Sequence, residues 1–396
     1  MRPKAPPDYP DDPIPEPVHR GRGALSNETS RFDSEKRIRT TDGWETGGRE
    51  TGGQEGGSAS EATDDDDVPP PLRTTLTRDA TRTILARNSS PDIPFDRSIN
   101  PYRGCEHGCI YCFARPTHAY LGLSPGLDFE TKILFKPDAA ALLTAELASP
   151  KYRPDVIAMG TNTDPYQPVE RELKITRQIL RVLSDFNNPV GIVTKNHMVT
   201  RDIDILGDMA KRNLAEVFVS VTTLDKDLAR TMEPRASAPH RRLEAIRALA
   251  GAGVPVGVMT SPMIPGLNDH EMESILEAAS DAGATRAGFI VLRLPLEIKE
   301  LFEEWLRQHR PDRAERVLSL IRQVRGGALY QAEFGKRMRG EGPIADLLAS
   351  RFAVAVKRLG LNKQRYRLDT TRFRVPEAAR TALVDARRDA RQLKLF

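Results

Sequence analysis

Short apolar segments alternate with longer segments of helical periodicity along most of the chain. Five segments are rich in β-branched and aliphatic residues and have the length of buried strands; they comprise residues 156–159, 190–194, 217–222, 256–260 and 287–292. Amphipathic segments between and around them predict helices; these comprise residues 139–148, 170–184, 203–212, 239–250 and 269–281. Such an alternation is typical of a βα repeat.

A further strand at residues 97–100 brings the predicted number of strands to six. Right-handed crossovers between successive strands would make all six parallel and place the helices on one outer surface. We therefore predict an α/β fold, a partial TIM-like (β/α)6 barrel, with its functional residues at the carboxyl ends of the strands. A flavodoxin-like open sheet has the same periodicity and is the alternative.

The two ends of the chain differ from this repeat. Residues 1–75 have little aliphatic surface and carry 16 Asp plus Glu against 10 Lys plus Arg, so we predict a disordered acidic tail. Residues 76–297 form the predicted core, and residues 298–396 form a mainly helical C-terminal extension, with a helix at 301–322 broken near Pro311. Without the tail, 49 basic and 39 acidic residues remain, a net charge of about +10.

Basic and aromatic residues are interleaved near the C-terminus. Residues 330–374 contain 11 Lys plus Arg against 4 Asp plus Glu, together with Tyr330, Phe334, Tyr366 and Phe373. This mixture can follow a nucleic-acid backbone and stack on its bases, which makes nucleic acid a candidate partner. The alternative is a helical cap whose aromatic rings pack inward and whose arginines are solvated.

Hydropathy gives no reason to expect a membrane protein. No segment approaches the roughly 20 consecutive apolar residues that span a bilayer. The N-terminus also lacks the apolar core of a signal peptide. We therefore expect no membrane partner and a cytoplasmic location.

The chain has 3 cysteines, Cys105, Cys109 and Cys112, close together in one stretch. An odd number, a short spacing and the lack of a secretory signal argue against disulfides. Cysteines at C-x3-C-x2-C spacing on one loop can hold three irons of a 4Fe–4S cubane and leave the fourth iron without a cysteine ligand. A zinc ion with His107 or His118 as its fourth ligand is the alternative.

The run from Asn100 to Cys112, including Tyr111 just before the last cysteine, resembles the cluster loop of the radical S-adenosylmethionine (SAM) superfamily. The resemblance implies that SAM binds the open iron and is split reductively to a 5'-deoxyadenosyl radical. Within the superfamily the chain is most similar to the spore photoproduct lyase-like branch, over about residues 95–295. An external electron donor such as flavodoxin or ferredoxin is then an expected partner.

Polar residues at the ends of the predicted strands suit the groups of SAM. After the second strand, Thr163 and Asp164 lie in a segment that looks like the superfamily's Gly-Gly-Glu segment, which would accept hydrogen bonds from the SAM amino group; an ordinary turn is the alternative. Lys195 ends the third strand, where the lyase-like branch has a lysine that pairs with the SAM carboxylate.

Two further positions follow from the same resemblance. Ser220 on the fourth strand is expected to contact SAM, and a bond to the backbone is the alternative. The segment Met232-Glu233-Pro234-Arg235 resembles a connection of the lyase-like branch. Arg235 is expected there to clamp a carboxylate or phosphate, with Glu233 holding Arg235 or a ribose hydroxyl.

The chain has no cysteine beyond these three. The photoproduct lyase uses an additional cysteine to return a hydrogen atom to its product, so thymine-dimer repair by that route is not expected. We predict a radical SAM enzyme of unknown substrate, with nucleic acid as a candidate. The alternative is an iron–sulfur module that binds nucleic acid or senses redox state without turning over SAM.

Overall fold

The computed structural model describes residues 19–33, 72–363 and 367–381. The strands are β1 (Thr75–Arg78), β2 (Leu85–Arg87), β3 (Arg97–Ile99), β4 (Tyr102–Arg103), β5 (Lys132–Phe135), β6 (Ile157–Met159), β7 (Val190–Thr194), β8 (Ala215–Ser220), β9 (Val256–Met263) and β10 (Arg286–Val291). The α-helices are α1 (Leu127–Thr131), α2 (Ala139–Leu147), α3 (Glu170–Leu173), α4 (Ile175–Asp185), α5 (Ile203–Lys211), α6 (Lys226–Met232), α7 (Pro239–Gly251), α8 (Met272–Asp281), α9 (Ile298–His309), α10 (Ala314–Gln323), α11 (Lys336–Arg339) and α12 (Gly342–Leu359). Short 3-10 helices lie at Arg115–Leu121, His197–Asp202 and Asp269–Glu271.

The central sheet has the order β10-β9-β8-β7-β6-β3-β2. Its strands β3 and β6 to β10 are the six predicted strands, and each pairs in parallel with its neighbour. β2 adds antiparallel to the β3 edge. Neighbouring parallel strands follow one another along the chain, so the order never reverses as it does in a flavodoxin-like sheet. Since β2 and β10 are unjoined edges, the predicted partial barrel is confirmed.

The core lies between this sheet and the helices on its outer surface. α4 shows the pattern that drives this packing, because Ile175, Ile179, Leu180 and Leu183 recur at helical spacing and are buried. The predicted helix at 170–184 is divided into α3 and α4 at Lys174, whose φ of 53° no α-helix accommodates. The other predicted helices in the core are present close to their expected bounds.

A second, three-stranded sheet has the order β1-β5-β4. β1 pairs in parallel with β5, and β4 pairs antiparallel with it. Helix α1 leads directly into β5, and the Cys105 N–H donates to the Phe129 carbonyl of α1 at 2.9 Å. This small sheet therefore supports the segment that carries the cysteines.

Residues 19–33, which we call the N-terminal strap, depart from the predicted tail. Ala24 and Leu25 are buried, and Ala24 joins an apolar cluster with residues of α9 and α10. The prediction of a tail up to residue 75 is therefore wrong for the strap, and β1 begins at Thr75 itself. Residues 1–18 and 34–71 of the predicted tail lie outside the described residues.

The C-terminal extension packs against the core. The predicted break near Pro311 separates α9 from α10, and α12 packs on α8. Phe373 packs inward, with its ring 5.3 Å from Tyr152, as expected for a cap, whereas Phe334 is 54% exposed. Tyr366 lies outside the described residues.

The side chain of Asn362 covers one position on the free edge of β10. The Asn362 Oδ1 accepts from the Ala287 N–H, and the Asn362 Nδ2 donates to the Ala287 carbonyl, both at 2.9 Å. The amide thus pairs with both main-chain groups of that residue. In the part of the chain that the structure describes, no helix combines the length and the apolar character required to cross a bilayer.

Candidate active site

The cysteines lie on one tight loop, residues 104–112, which we call the cysteine loop. Gly104 and Gly108 have φ angles of 81° and 65°, which glycine adopts readily. A Cβ at Gly104 would lie 2.9 Å from the Phe129 carbonyl oxygen, and one at Gly108 would lie 2.7 Å from the Glu130 carboxylate. Glycine is therefore required at both positions for the loop to pass this close to α1.

A buried ion pair supports the loop from behind. The Arg115 Nη2 lies 2.5 Å from the Glu130 Oε1, and both side chains are inaccessible to solvent. The same guanidinium donates to the Cys109 carbonyl at 2.9 Å and to the Gly108 carbonyl at 3.1 Å. These contacts show that Arg115 holds the backbone of the cysteine loop.

The N-terminal strap completes this support. The N–H groups of Gly23 and Ala24 donate to the Glu130 carboxylate at 2.9 and 2.8 Å. Arg22 donates to the Glu130 carbonyl at 2.9 Å. A Cβ at Gly23 would lie 1.8 Å from the Gly108 carbonyl oxygen, so the strap runs directly against the cysteine loop.

Burial raises the pKa of all three cysteine thiols. A bound metal offsets that effect because it stabilises the thiolate. Within the described residues, no three His, Cys, Asp or Glu side chains converge as ligands of a single ion. In a cubane each thiolate binds a different iron, so the sulfurs need not meet at one point. Three cysteines on one loop are a donor set that suits such a cluster.

The two histidines considered as zinc ligands contact other groups. The His107 Nε2 lies 3.1 Å from the Asn196 Nδ2, and its Nδ1 lies 3.4 Å from an Asp164 carboxylate oxygen. The His118 Nε2 lies 3.0 Å from the Lys132 carbonyl oxygen. His107 therefore links the cysteine loop to the ends of β6 and β7.

Asp164 and Thr163 both have protein partners. Asp164 accepts hydrogen bonds from the Tyr166 N–H, the Thr194 hydroxyl and the Lys195 N–H, each at 2.8 Å. Burial raises the pKa of Asp164, but His107 and these main-chain donors outweigh it and leave the pKa below its usual value. The Thr163 hydroxyl donates to the Tyr102 carbonyl at 3.1 Å. Both side chains thus join the strand ends to the start of the cysteine loop.

Lys195 lies at the centre of a polar cluster at the ends of β7, β8 and β9. Its Nζ is 2.8 Å from the Ser220 hydroxyl, 3.1 Å from the Thr222 hydroxyl and 3.3 Å from the Ser261 carbonyl oxygen. It is also 3.2 Å from the Glu233 Oε1. The structure thus brings together Lys195 and Ser220, and the hydroxyl of Ser220 contacts the lysine.

Glu233 is fully buried and connects this cluster to the cysteine loop. Its carboxylate accepts from the hydroxyls of Tyr111 and Thr222 and pairs with the Arg242 guanidinium. Burial raises the pKa of Glu233, but the nearby Arg242 and Lys195 charges reverse that effect and hold it well below its usual value. Glu233 is therefore a carboxylate that both cations share.

Arg235 does not pair with Glu233 as we expected. Its Nη2 lies 3.1 Å from the Glu106 Oε1, and its N–H donates to the His107 carbonyl at 3.2 Å. Arg235 therefore lies beside the cysteine loop, whereas the partner of Glu233 is Arg242 of α7. Sequence reasoning missed Arg242 and Thr222, because neither the pairing across a loop nor the direction of a side chain at a strand end has a sequence signal.

Comparison with known proteins agrees with this geometry. Residues 99–279 match the model of the radical SAM superfamily. An uncharacterised protein of Mycobacterium tuberculosis is 37% identical over 232 residues, which cover 58% of this chain and 68% of that protein. The chain belongs to the radical SAM superfamily. An uncharacterised protein of Methanocaldococcus jannaschii is 28% identical to this radical SAM protein, over 44% of the chain and 62% of the relative.

Solved structures of spore photoproduct lyase share the fold of this radical SAM protein. The lyase complexed with dinucleoside spore photoproduct superposes with a TM-score of 0.54 at 17% identity, over 72% of this chain and 80% of the lyase. A doubly substituted variant of the lyase with bound AdoMet and dinucleoside spore photoproduct gives a TM-score of 0.53 at 16% identity, with the same coverage of 72% and 80%. Membership of the superfamily confirms the predicted enzyme class, and the family implies a 4Fe–4S cluster and SAM.

Proposed function

We propose that Cys105, Cys109 and Cys112 bind a 4Fe–4S cluster and that the protein uses it to cleave SAM reductively. The observation that carries the proposal is the position of Tyr111, which adjoins Cys112 and has its ring centroid 5.4 Å from the Lys195 Nζ. The cysteine loop and the lysine cluster thus belong to one site. When bound, the cluster supplies an electron that splits SAM into methionine and a 5'-deoxyadenosyl radical.

The protein's own residues bind and orient SAM in this proposal. Lys195 pairs with the SAM carboxylate. The hydroxyls of Ser220 and Thr222 hold the ammonium group of Lys195 in place. The Glu233 carboxylate offsets part of the positive charge of Lys195 and Arg242 before SAM binds. The hydroxyl of Tyr111 bonds to Glu233, which leaves the ring to line the pocket.

The remaining predicted contacts have more restricted roles. Thr163 and Asp164 line the end of β6, where Asp164 acts mainly by positioning His107 and the N–H of Lys195. Arg235 is half-buried and provides a cation for a substrate carboxylate or phosphate at the edge of the cysteine loop. Nucleic acid stays a candidate substrate.

Electrons enter beside Cys112 in this proposal. Cys112 is the least buried of the three cysteines, and the next residue, Phe113, is 47% exposed. An external flavodoxin or ferredoxin would dock there, in the cytoplasm. The abstraction of hydrogen from substrate then takes place at the carboxyl ends of the strands, where parallel sheets of this class bind ligands.

Anaerobic reconstitution tests the proposal directly. The protein is loaded with iron and sulfide, its cluster is counted by iron analysis and Mössbauer spectroscopy, and dithionite and SAM are added. We expect 5'-deoxyadenosine from the wild type and none from Cys109→Ser, while Arg230→Ala, which changes an exposed arginine of α6, behaves as wild type. A fully loaded cluster that yields no 5'-deoxyadenosine would refute the proposal.

A further inference from the structure

Two arginines meet at the carboxyl end of β10, the last parallel strand. Arg325 lies between α10 and α11 and is only 1% exposed. Its Nη2 donates to the carbonyls of Val291 and Leu292 at 2.9 and 2.5 Å, and its Nη1 donates to the Lys336 carbonyl at 3.0 Å. Arg325 is thereby fixed against the end of β10. Arg293 lies two residues after the last residue of that strand.

Neither guanidinium has a carboxylate partner in the described ranges. The Arg293 Nη1 contacts the Met338 Sδ at 3.4 Å, and its guanidinium lies over the Phe113 ring, 5.1 Å from the centroid. The Nε atoms of Arg293 and Arg325 are both buried without a hydrogen-bond partner among the described residues. By contrast, the buried Arg115 and Arg242 each pair with a glutamate.

Unpaired guanidiniums at such a position create a strongly positive local potential. Burial and the neighbouring Arg293 charge lower the pKa of Arg325 to about 10, so the Arg325 guanidinium remains cationic at neutral pH and is repelled by the Arg293 charge. Buried charges are normally paired because desolvation is unfavourable without a counter-charge. An anion bound between these groups would relieve both the repulsion and the unsatisfied N–H donors.

We propose that Arg293 and Arg325 form a subsite for a phosphate group of the substrate. Guanidinium groups match the oxygens of phosphate through parallel hydrogen bonds. Arg293 is half-buried and makes the direct contact, and Arg325 adds a fixed positive charge. The exposed Phe113 ring beside Arg293 offers a surface on which a planar ring attached to that phosphate can stack.

The position of the subsite connects it to the chemistry. Phe113 follows Cys112 in the chain, so a phosphate held by Arg293 would lie next to the cysteine loop. β10 ends at the same edge of the sheet as β7, and Lys195 is the residue that follows β7. The inference rests on the proposed function only in calling the bound molecule a substrate, because the affinity for phosphate follows from the two arginines themselves.

Calorimetry on the cluster-loaded protein, without SAM or reductant, tests the subsite. The ligands are inorganic phosphate, uridine 5'-monophosphate, the dinucleoside phosphate UpU, and uridine as the ligand without phosphate. We expect uridine 5'-monophosphate or UpU to bind at least about tenfold more tightly than uridine, since a hydrogen bond to a charged group contributes about 1.5–3 kcal/mol. Preference for the monoester indicates a small phosphorylated substrate, and preference for the diester indicates a nucleic-acid strand.

Variants of Arg293 test whether the phosphate ligands bind at this subsite. Arg293→Ala should weaken binding of the phosphate ligands by about tenfold or more, and Arg293→Lys should restore part of it, because lysine keeps the charge without the planar fork. Arg230→Ala, with the same change of charge on an exposed helix, should bind as wild type does. The subsite is disproved if uridine binds as tightly as its phosphates, or if Arg293→Ala binds them as wild type does.

These results are separable from those for SAM cleavage. Production of 5'-deoxyadenosine by the wild type is measured without any phosphate ligand. If the protein cleaves SAM but binds uridine as tightly as its phosphates, only the proposed subsite is refuted. If it binds the phosphates through Arg293 but never cleaves SAM, only the proposed function is refuted.

Discussion

Two buried Arg–Glu pairs contact the cysteine loop, and their surroundings differ. Arg115 and Glu130 are surrounded by backbone: carbonyls of the cysteine loop accept from Arg115, and main-chain N–H groups of the strap donate to Glu130. Arg242 and Glu233 are surrounded by side chains of the pocket, including Lys195 and the Tyr111 hydroxyl.

The difference indicates that one pair supports the cysteine loop and the other positions a ligand-binding residue. The Arg115–Glu130 pair fixes where the loop backbone runs, so it affects the site only through the shape of the loop. The Arg242–Glu233 pair orients Lys195 through the contact of its carboxylate with the Lys195 Nζ, and we propose that Lys195 contacts SAM directly. Changes at the first pair should therefore alter folding and cluster content together, whereas changes at the second should alter ligand affinity at constant cluster content.

The largest expected effect follows from breaking the supporting pair. Glu130→Ala leaves the Arg115 charge buried without a partner, which typically destabilises a protein by about 3–5 kcal/mol. Chemical denaturation should show this loss, and iron content after reconstitution should fall with it. The double variant Arg115→Met/Glu130→Leu should stay destabilised, because the loop carbonyls and the N–H groups of the strap lose their partners. A Glu130→Ala variant with wild-type stability would contradict the role of the pair.

The next effect concerns Lys195 itself. Lys195→Ala should raise the Kd for SAM by about tenfold to a hundredfold, because it removes a hydrogen bond to a charged carboxylate that contributes about 1.5–3 kcal/mol. Iron content should equal that of the wild type, measured on the same preparation. Lys226→Ala, at the exposed start of α6, is the matched control. Equal SAM affinity in Lys195→Ala would remove this residue from the binding site.

A smaller effect is expected where the strap contacts the loop. Gly23→Ala places a Cβ 1.8 Å from the Gly108 carbonyl oxygen, so the strap has to shift. We expect a loss of about 1–3 kcal/mol, typical of overpacking, and faster loss of the cluster in air. Gly21→Ala is the control, since a Cβ there meets no atom within 4 Å although its φ is 74°. If both variants lose the cluster equally fast, the contact with Gly108 is not responsible.

The smallest effect concerns a partly exposed ion pair. Its comparison with the two buried Arg–Glu pairs shows how much burial contributes. Arg351 of α12 donates to both Glu273 carboxylate oxygens, at 2.8 and 2.6 Å, and these bonds hold the pKa of Glu273 below its usual value of 4.5. Because the folded pKa is the lower one, the stabilisation is present above the unfolded pKa and is lost as the pH falls through the folded value.

Hydrogen exchange of α12 at decreasing pH measures this effect. Wild-type α12 should lose protection as the pH falls below about 4.5, by less than about 1 kcal/mol, since the pair is partly exposed. Glu273→Gln should remove that dependence. Glu244→Gln, which breaks an exposed pair within α7, should leave it unchanged, and a variant at Glu273 with the wild-type pH profile would show that another group is responsible.

Sequence alone predicted the parts of this protein that depend on local pattern. The six parallel strands are short apolar runs, and the local pattern located them correctly. The binding of a cluster by the three cysteines stays a prediction from their spacing. The strap was missed because only a few of its residues, such as Arg22 and Ala24, are buried within a long polar segment. The pairing of Glu233 with Arg242 instead of Arg235 depends on how α7 docks, which no local pattern encodes.

The amide of Asn362 has a consequence for how copies of this protein behave at high concentration. β10 ends the sheet, and an unpaired strand edge is a template on which another chain can add. By pairing with both main-chain groups of Ala287, near the start of β10, Asn362 takes the place that one residue of an eleventh strand would have. Together with Arg325, which bonds to the Val291 carbonyl at the other end of β10, it hinders another strand from adding to this open side of the barrel.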